Sequence, residues 1–93
     1  MSIEDRRIPG LRPGYRLQWE PVQQRHVLLY PEGMVKLNGP AAAILELCDG
    51  ERDVAAVIAE LKAKFGDAED ADLDNDVREF LQAASRNGWI RLD

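Results

Sequence analysis

The stretch that decides the fold is YRLQWEPVQQRHVLLYPEGMVKLNGPAAAILELCDG, residues 15–50. Tyr15, Leu17 and Trp19 alternate with Arg16, Gln18 and Glu20, the period of a half-buried strand. Pro21 stops that run, and Pro21–Gln24 reads as a short turn. His26–Tyr30 is a second strand, more continuously apolar, as a central strand is. Pro31-Glu32-Gly33 supplies turn chemistry, because Pro fixes φ and Gly tolerates positive φ. Met34–Asn38 is a third strand, with Val35 and Leu37 on one face. Links this short favour an antiparallel three-stranded meander.

A helix starts at Gly39-Pro40, where proline loses nothing at the first helical position. Pro40 leaves no hydroxyl cap at that start, and Gly50 stands where a C-terminal cap is expected. Asp53 is a good N-cap for a second helix. That helix puts Val54, Val57, Ile58, Leu61 and Phe65 on one stripe, and Gly66 closes it. An acidic loop follows at 67–72. A third helix runs from about Leu73 to Asn87, with Val77, Phe80, Leu81 and Ala84 inward and Gly88 at its end. Trp89–Leu92 adds a short extended tail. Residues 1–14, with Pro9, Gly10, Pro13 and Gly14, read as an irregular arm ahead of a single domain over 15–93. The expected class is α+β and winged-helix-like, a three-stranded antiparallel sheet followed by a three-helix bundle.

The chain has 93 residues and a net charge of -5. That length suits one domain with a thin stability margin. Residues 1–50 balance six acids against six bases, whereas residues 51–93 hold eleven acids and six bases. An acidic C-terminal half argues against nucleic acid, which demands clustered Lys and Arg. The helix-turn-helix spacing around Gly50–Asp53 invites a regulator that binds duplex DNA. Its second helix, however, offers only Lys62 and Lys64, with Glu60 preceding them, and its third begins in carboxylates. One cysteine, Cys48, permits no internal disulfide. With no apolar stretch long enough for a signal peptide or a membrane span, a soluble protein of a reducing cytoplasm is expected.

Few residues offer chemistry. His26 has no second His or Cys near it to complete a metal site. Cys48 ends an apolar helix with no neighbouring base to lower its pKa. Asp70, Asp72, Asp74 and Asp76 alternate, but the positions that a calcium loop gives to Gly and Glu hold Asn75 and Leu81. These carboxylates suit the start of a helix. No catalytic residue, metal ligand or cofactor is expected, so the chain is read as a non-enzyme.

What remains is the sheet edge. Met34-Val35-Lys36-Leu37-Asn38 has no proline or bulge to blunt pairing. It is either a short edge guarded by Lys36 or a docking strand for an extended peptide. An open edge and a mobile arm also permit a homodimer or an exchange of segments.

The residues RLQWE at 16–20, Gln23, HVLLYPEGMV at 26–35, Leu37-Asn38, Ile44-Leu45, LCDG at 47–50, Asp76-Val77 and Phe80-Leu81 resemble the PqqD family of pyrroloquinoline quinone (PQQ) biosynthesis. The resemblance runs from about Pro13 to Leu92. It implies a peptide chaperone of the recognition-element type used for ribosomally made, modified peptides. Such proteins bind the precursor peptide PqqA and present it to the radical S-adenosylmethionine enzyme PqqE, which joins a Glu and a Tyr of the precursor. In related recognition elements the peptide adds as a strand beside the third strand and packs on the third helix. Carried over, the peptide-binding residues are Met34, Val35, Lys36, Leu37 and Asn38, with Asp76, Val77, Phe80, Leu81 and Ala84 on the facing helix. Leu37, Val77 and Leu81 are expected as apolar contacts, and Lys36 or Arg78 as the partner of an acidic precursor residue.

Overall fold

A computed structural model describes residues 4–65 and 71–93. Among these described residues, five strands and three helices follow in order: β1 Pro9–Leu11, β2 Arg16–Glu20, β3 Arg25–Tyr30, β4 Gly33–Lys36, α1 Gly39–Glu46, α2 Val54–Phe65, α3 Ala71–Arg86 and β5 Ile90–Leu92. Gly66 as the end of the second helix, and the acidic loop as far as Asp70, lie outside the described residues.

The expected meander is present: β2, β3 and β4 form an antiparallel sheet with β3 central. The β3–β4 hairpin turns through Pro31 and Glu32, with Tyr30 opposite Gly33. Register aligns Leu17, Leu28 and Val35 across the three strands. Strand side chains alternate between faces, so this row lies on one side, and α1 packs there against β2 and β3. Leu28, Leu45, Val54, Val57, Val77 and Leu81, each at most 1% exposed, join in one hydrophobic core between sheet and helices.

Local caps fix the helix ends. Asp53 Oδ1 accepts from Ala56 N–H at 2.8 Å at the start of α2. Gly88, at φ +79°, closes α3: its N–H donates to Ser85 O and the Trp89 N–H to Ala84 O. That pattern satisfies carbonyls that a helix end otherwise orphans. The first helix ends earlier than its glycine suggests. Leu47 is the C-cap, and Gly50 instead sits where β1 passes, its N–H donating to Pro9 O at 3.0 Å.

The N-terminal arm departs furthest from expectation. Residues 9–11 are a strand, and they pair antiparallel with Ile90–Leu92 from the other end of the chain. Ahead of that strand, the carbonyls of Arg7 and Asp5 accept the Val54 and Ala55 N–H groups. These are first-turn donors of α2 with no partner inside the helix. Arg78 of α3 then holds Asp5 through Nε and Nη2, at 2.9 and 3.1 Å. The arm is thus a strap across the N-terminus of α2.

Candidate functional site: the free edge of β4 and the cleft beyond it

In an antiparallel pair, residues alternate between bonding across the ladder and turning their backbone groups away. The Leu37 N–H donates to His26 O at 3.0 Å. With Val27 opposite Lys36 and Leu28 opposite Val35, the bonded pairs are His26–Leu37, Leu28–Val35 and Tyr30–Gly33. The N–H and C=O groups of Met34 and Lys36 therefore point outward, from a strand that is the edge of the sheet among the described residues. Both residues are exposed, Met34 by 48%. Val35 is half-buried and Leu37 buried, both on the helix side with Leu28.

Asn38 follows this edge in the chain, and its Oδ1 accepts the Ala41 N–H at 2.8 Å as the N-cap of α1. An amide thus caps this helix start, which Pro40 leaves without a hydroxyl. Gly39 and Pro40 then form one wall of a cleft of about 510 Å³, together with Ala43 and Ile44. Leu61 and Phe65 from α2 and Leu73, Asp76 and Val77 from α3 line the rest. Every lining side chain but Asp76 is apolar. Lys62 Nζ lies 2.7 Å from Asp74 Oδ1 and ties α2 to α3. Phe65, 67% exposed, is apolar surface that the core leaves uncovered.

The structure divides the ten expected residues. Met34 and Lys36 present backbone at the edge, and Val35, Leu37 and Asn38 lead from there to the cleft. Asp76 and Val77 line the cleft. Phe80 is half-buried against the core. Leu81, 0% exposed, and Ala84, 1% exposed, offer no surface to a ligand. Helical periodicity explains this: positions 77, 81 and 84 form the stripe that faces inward, and 73 and 76 flank it. Leu37 is likewise core, at 4% exposed. Arg78, expected to meet an acidic ligand, is already held by Asp5. Gly39, Pro40, Ala43, Leu61, Phe65 and Leu73 were not anticipated as lining. Their signal in the sequence is an apolar residue at each of three helix ends, more than the core requires.

His26 and Cys48, the two candidate reactive side chains, have structural partners. His26 Nε2 lies 3.1 Å from Glu46 Oε1, and its ring meets Trp19 edge-on with centroids 5.0 Å apart. Cys48 donates to Ile44 O at 3.3 Å. Burial, with the Asp49 charge beside it, pushes the Cys48 thiol up to about 12, so it is not a thiolate nucleophile at neutral pH. Among the described residues no three His, Cys, Asp or Glu side chains gather as a metal-ligand set, and no helix is long and apolar enough to cross a membrane. The arrangement offers backbone hydrogen bonds beside an apolar recess, which is the equipment of strand addition.

The chain has relatives among known proteins. The family model for coenzyme PQQ synthesis protein D (PqqD) matches residues 25–90. The chain is similar to a PqqA binding protein of Kluyvera intermedia, 55% identical over 96% of this chain and 95% of that one. It is similar to another from Klebsiella pneumoniae strain 342, 60% identical over 89% and 88% of the two chains. Among solved structures it matches the PqqD truncation of Methylobacterium extorquens PqqCD, described as a functional, stand-alone recognition element for ribosomally synthesized and post-translationally modified peptides. The TM-score is 0.73 and the identity 31%, over 89% of this chain and 87% of that one.

Proposed function

We propose that this chain, which belongs to the coenzyme PQQ synthesis protein D (PqqD) family, is a peptide chaperone of PQQ biosynthesis and binds the precursor peptide PqqA. The peptide adds as a strand to the free edge of β4 and lays its alternate side chains over the cleft between α1, α2 and α3. One observation carries this reading: the backbone groups of Met34 and Lys36 point outward from an unpaired edge, and, three residues on, the chain reaches Gly39 and Pro40 in the wall of an apolar cleft. The names of the relatives as PqqA binding proteins support it.

The backbone of the edge supplies affinity with little regard to sequence, and the cleft supplies selectivity. Contact residues are Met34, Val35, Lys36 and Asn38 at the edge, with Asp76, Val77, Leu73 and Phe65 at the cleft. The core residues Leu37, Leu81 and Ala84 support these from beneath, and Phe80 stands between the two groups. The chain performs no reaction itself. It holds PqqA for the radical S-adenosylmethionine enzyme PqqE, which cross-links a Glu and a Tyr of the peptide, and it works in the cytoplasm.

The test is an NMR titration of labelled protein with synthetic PqqA peptide, with duplex DNA as a control. Saturable shifts at Met34–Asn38 and at Leu73–Val77, and none with DNA, are expected. Shifts confined to other surfaces, or binding to DNA alone, would contradict the reading.

A further inference from the structure

Four charged side chains of alternating sign link the N-terminal arm to the α2 and α3 walls of the cleft. Asp5 of the arm accepts from Arg78 of α3 at 2.9 and 3.1 Å. Arg78 stands four residues after Asp74 on the same helix, a spacing at which an acid and a following base attract. Asp5, first through its hydrogen bond, and Asp74 through its charge both raise the Arg78 pKa. Asp74 in turn lies 2.7 Å from Lys62 of α2. Each helical member directly follows a residue that lines the cleft: Lys62 follows Leu61, Asp74 follows Leu73 and Arg78 follows Val77. All three are half-buried, so salt screens them less than a surface pair. The arm grips α2 as well. The carbonyls of Arg7 and Asp5 take the Val54 and Ala55 N–H groups at 2.9 and 3.0 Å, at the end of α2 remote from Leu61 and Phe65.

We infer that Asp5 is a positioning residue for peptide binding: through Arg78, Asp74 and Lys62 the docked arm holds the α2 and α3 walls at the spacing that receives the peptide. The inference rests on the edge-and-cleft reading above, and Asp5 itself touches no ligand in it. The wall from Gly39 to Ile44 belongs to α1, which packs on the sheet. The other walls belong to α2 and α3, and the charged chain spans these two helices. An apolar recess holds a side chain only while its walls stay in reach, since a gap of roughly 0.5–1 Å forfeits a quarter to a half of each contact. Take the Asp5 carboxylate away, and Arg78 competes with Lys62 for Asp74. The tie between α2 and α3 then slackens beside Leu61, Leu73 and Val77. Arm and peptide are thereby linked, and whatever the docked arm adds to peptide affinity, bound peptide adds to the docking of the arm.

The test is a double-mutant cycle on the full chain, titrated with synthetic PqqA peptide well below every melting midpoint. It compares wild type, Asp5→Asn, Arg78→Gln, the two together, and Asp5→Glu. Asp5 is exposed, so its variants fold. Asp5→Asn is expected to bind the peptide about three-fold more weakly, within what a partly exposed pair can transmit. Arg78→Gln should lose a similar factor, and the double variant no more than either alone, because both break one link. Asp5→Glu should restore affinity. Wild-type affinity in Asp5→Asn, or losses that add in the double variant, overturns the positioning role. Tighter binding by Asp5→Asn overturns it too, since a freed Arg78 then meets the peptide directly. In each of these cases shifts at the Met34, Lys36 and Leu73–Val77 amides leave the edge-and-cleft reading standing. Binding by wild type without those shifts overturns both.

Discussion

Asn38 Oδ1 accepts the Ala41 N–H at 2.8 Å, so the residue that follows the free β4 edge also caps the helix whose first residues wall the cleft. The two halves of the site are therefore coupled through one side chain. Asn38→Ala should lower stability by about 1 kcal/mol, the usual worth of an N-cap. It should also weaken peptide binding by freeing Gly39 and Pro40. Thermal denaturation and a peptide titration check both effects, and Asn38→Asp should restore the first.

Core and contact residues on the helices separate by substitution. Leu81 is fully buried, so Leu81→Asp places a charge in the core and should unfold the chain, which circular dichroism reads directly. Phe65 is 67% exposed. Phe65→Ser should change stability by less than about 1 kcal/mol while weakening peptide affinity measurably in calorimetry.

The strap gives stability a pH dependence. The hydrogen bonds from Arg78 hold the Asp5 carboxyl below its ordinary value of 3.8. Folding thus favours the ionised form. Its contribution is complete above the unfolded value and fades as pH falls toward the folded one. The pair is partly exposed, so it is worth at most about 1 kcal/mol. Asp5→Asn should lower Tm at neutral pH, and the difference from wild type should shrink on acidification below pH ~4. A constant difference across that range would assign the loss to something other than this charge.

Gly10 lies where β1 crosses the loop after α1. A Cβ there would sit 3.1 Å from Gly50 Cα, against backbone that cannot turn aside. Gly10→Ala should cost about 1–3 kcal/mol, as overpacking does. Amide exchange should quicken first in β1 and β5. If Gly10→Ala matches wild type in denaturant, the close crossing is not rigid.

Much of this architecture was legible in the chain because it is local. Alternation at Tyr15–Glu20, turn chemistry at Pro31–Gly33, the Asp53 cap and the Gly88 terminus each act within a few residues. The β1–β5 pair was not legible, since its partners stand some 80 residues apart and a Pro-Gly-rich arm carries no strand pattern of its own. Gly50 looked like a helix cap, and its actual neighbour Gly10 is likewise distant in sequence. For the site, periodicity placed Val35 and Leu37 on one face and Val77, Leu81 and Ala84 on one stripe. It could not say how deep that stripe lies, because depth depends on which helix covers it. The cleft escaped notice for the same reason, as its walls come from the ends of three helices.

The central claim is that PqqA pairs with the β4 edge. The most direct measurement is hydrogen exchange and intermolecular NOEs on the complex of labelled protein with synthetic PqqA. The account predicts new protection of the Met34 and Lys36 amides, no change at Val35, and cross-strand NOEs from β4 to the peptide. Protection at Leu17 and Trp19 on the opposite edge, or none at Met34 and Lys36 in a saturated complex, would contradict it.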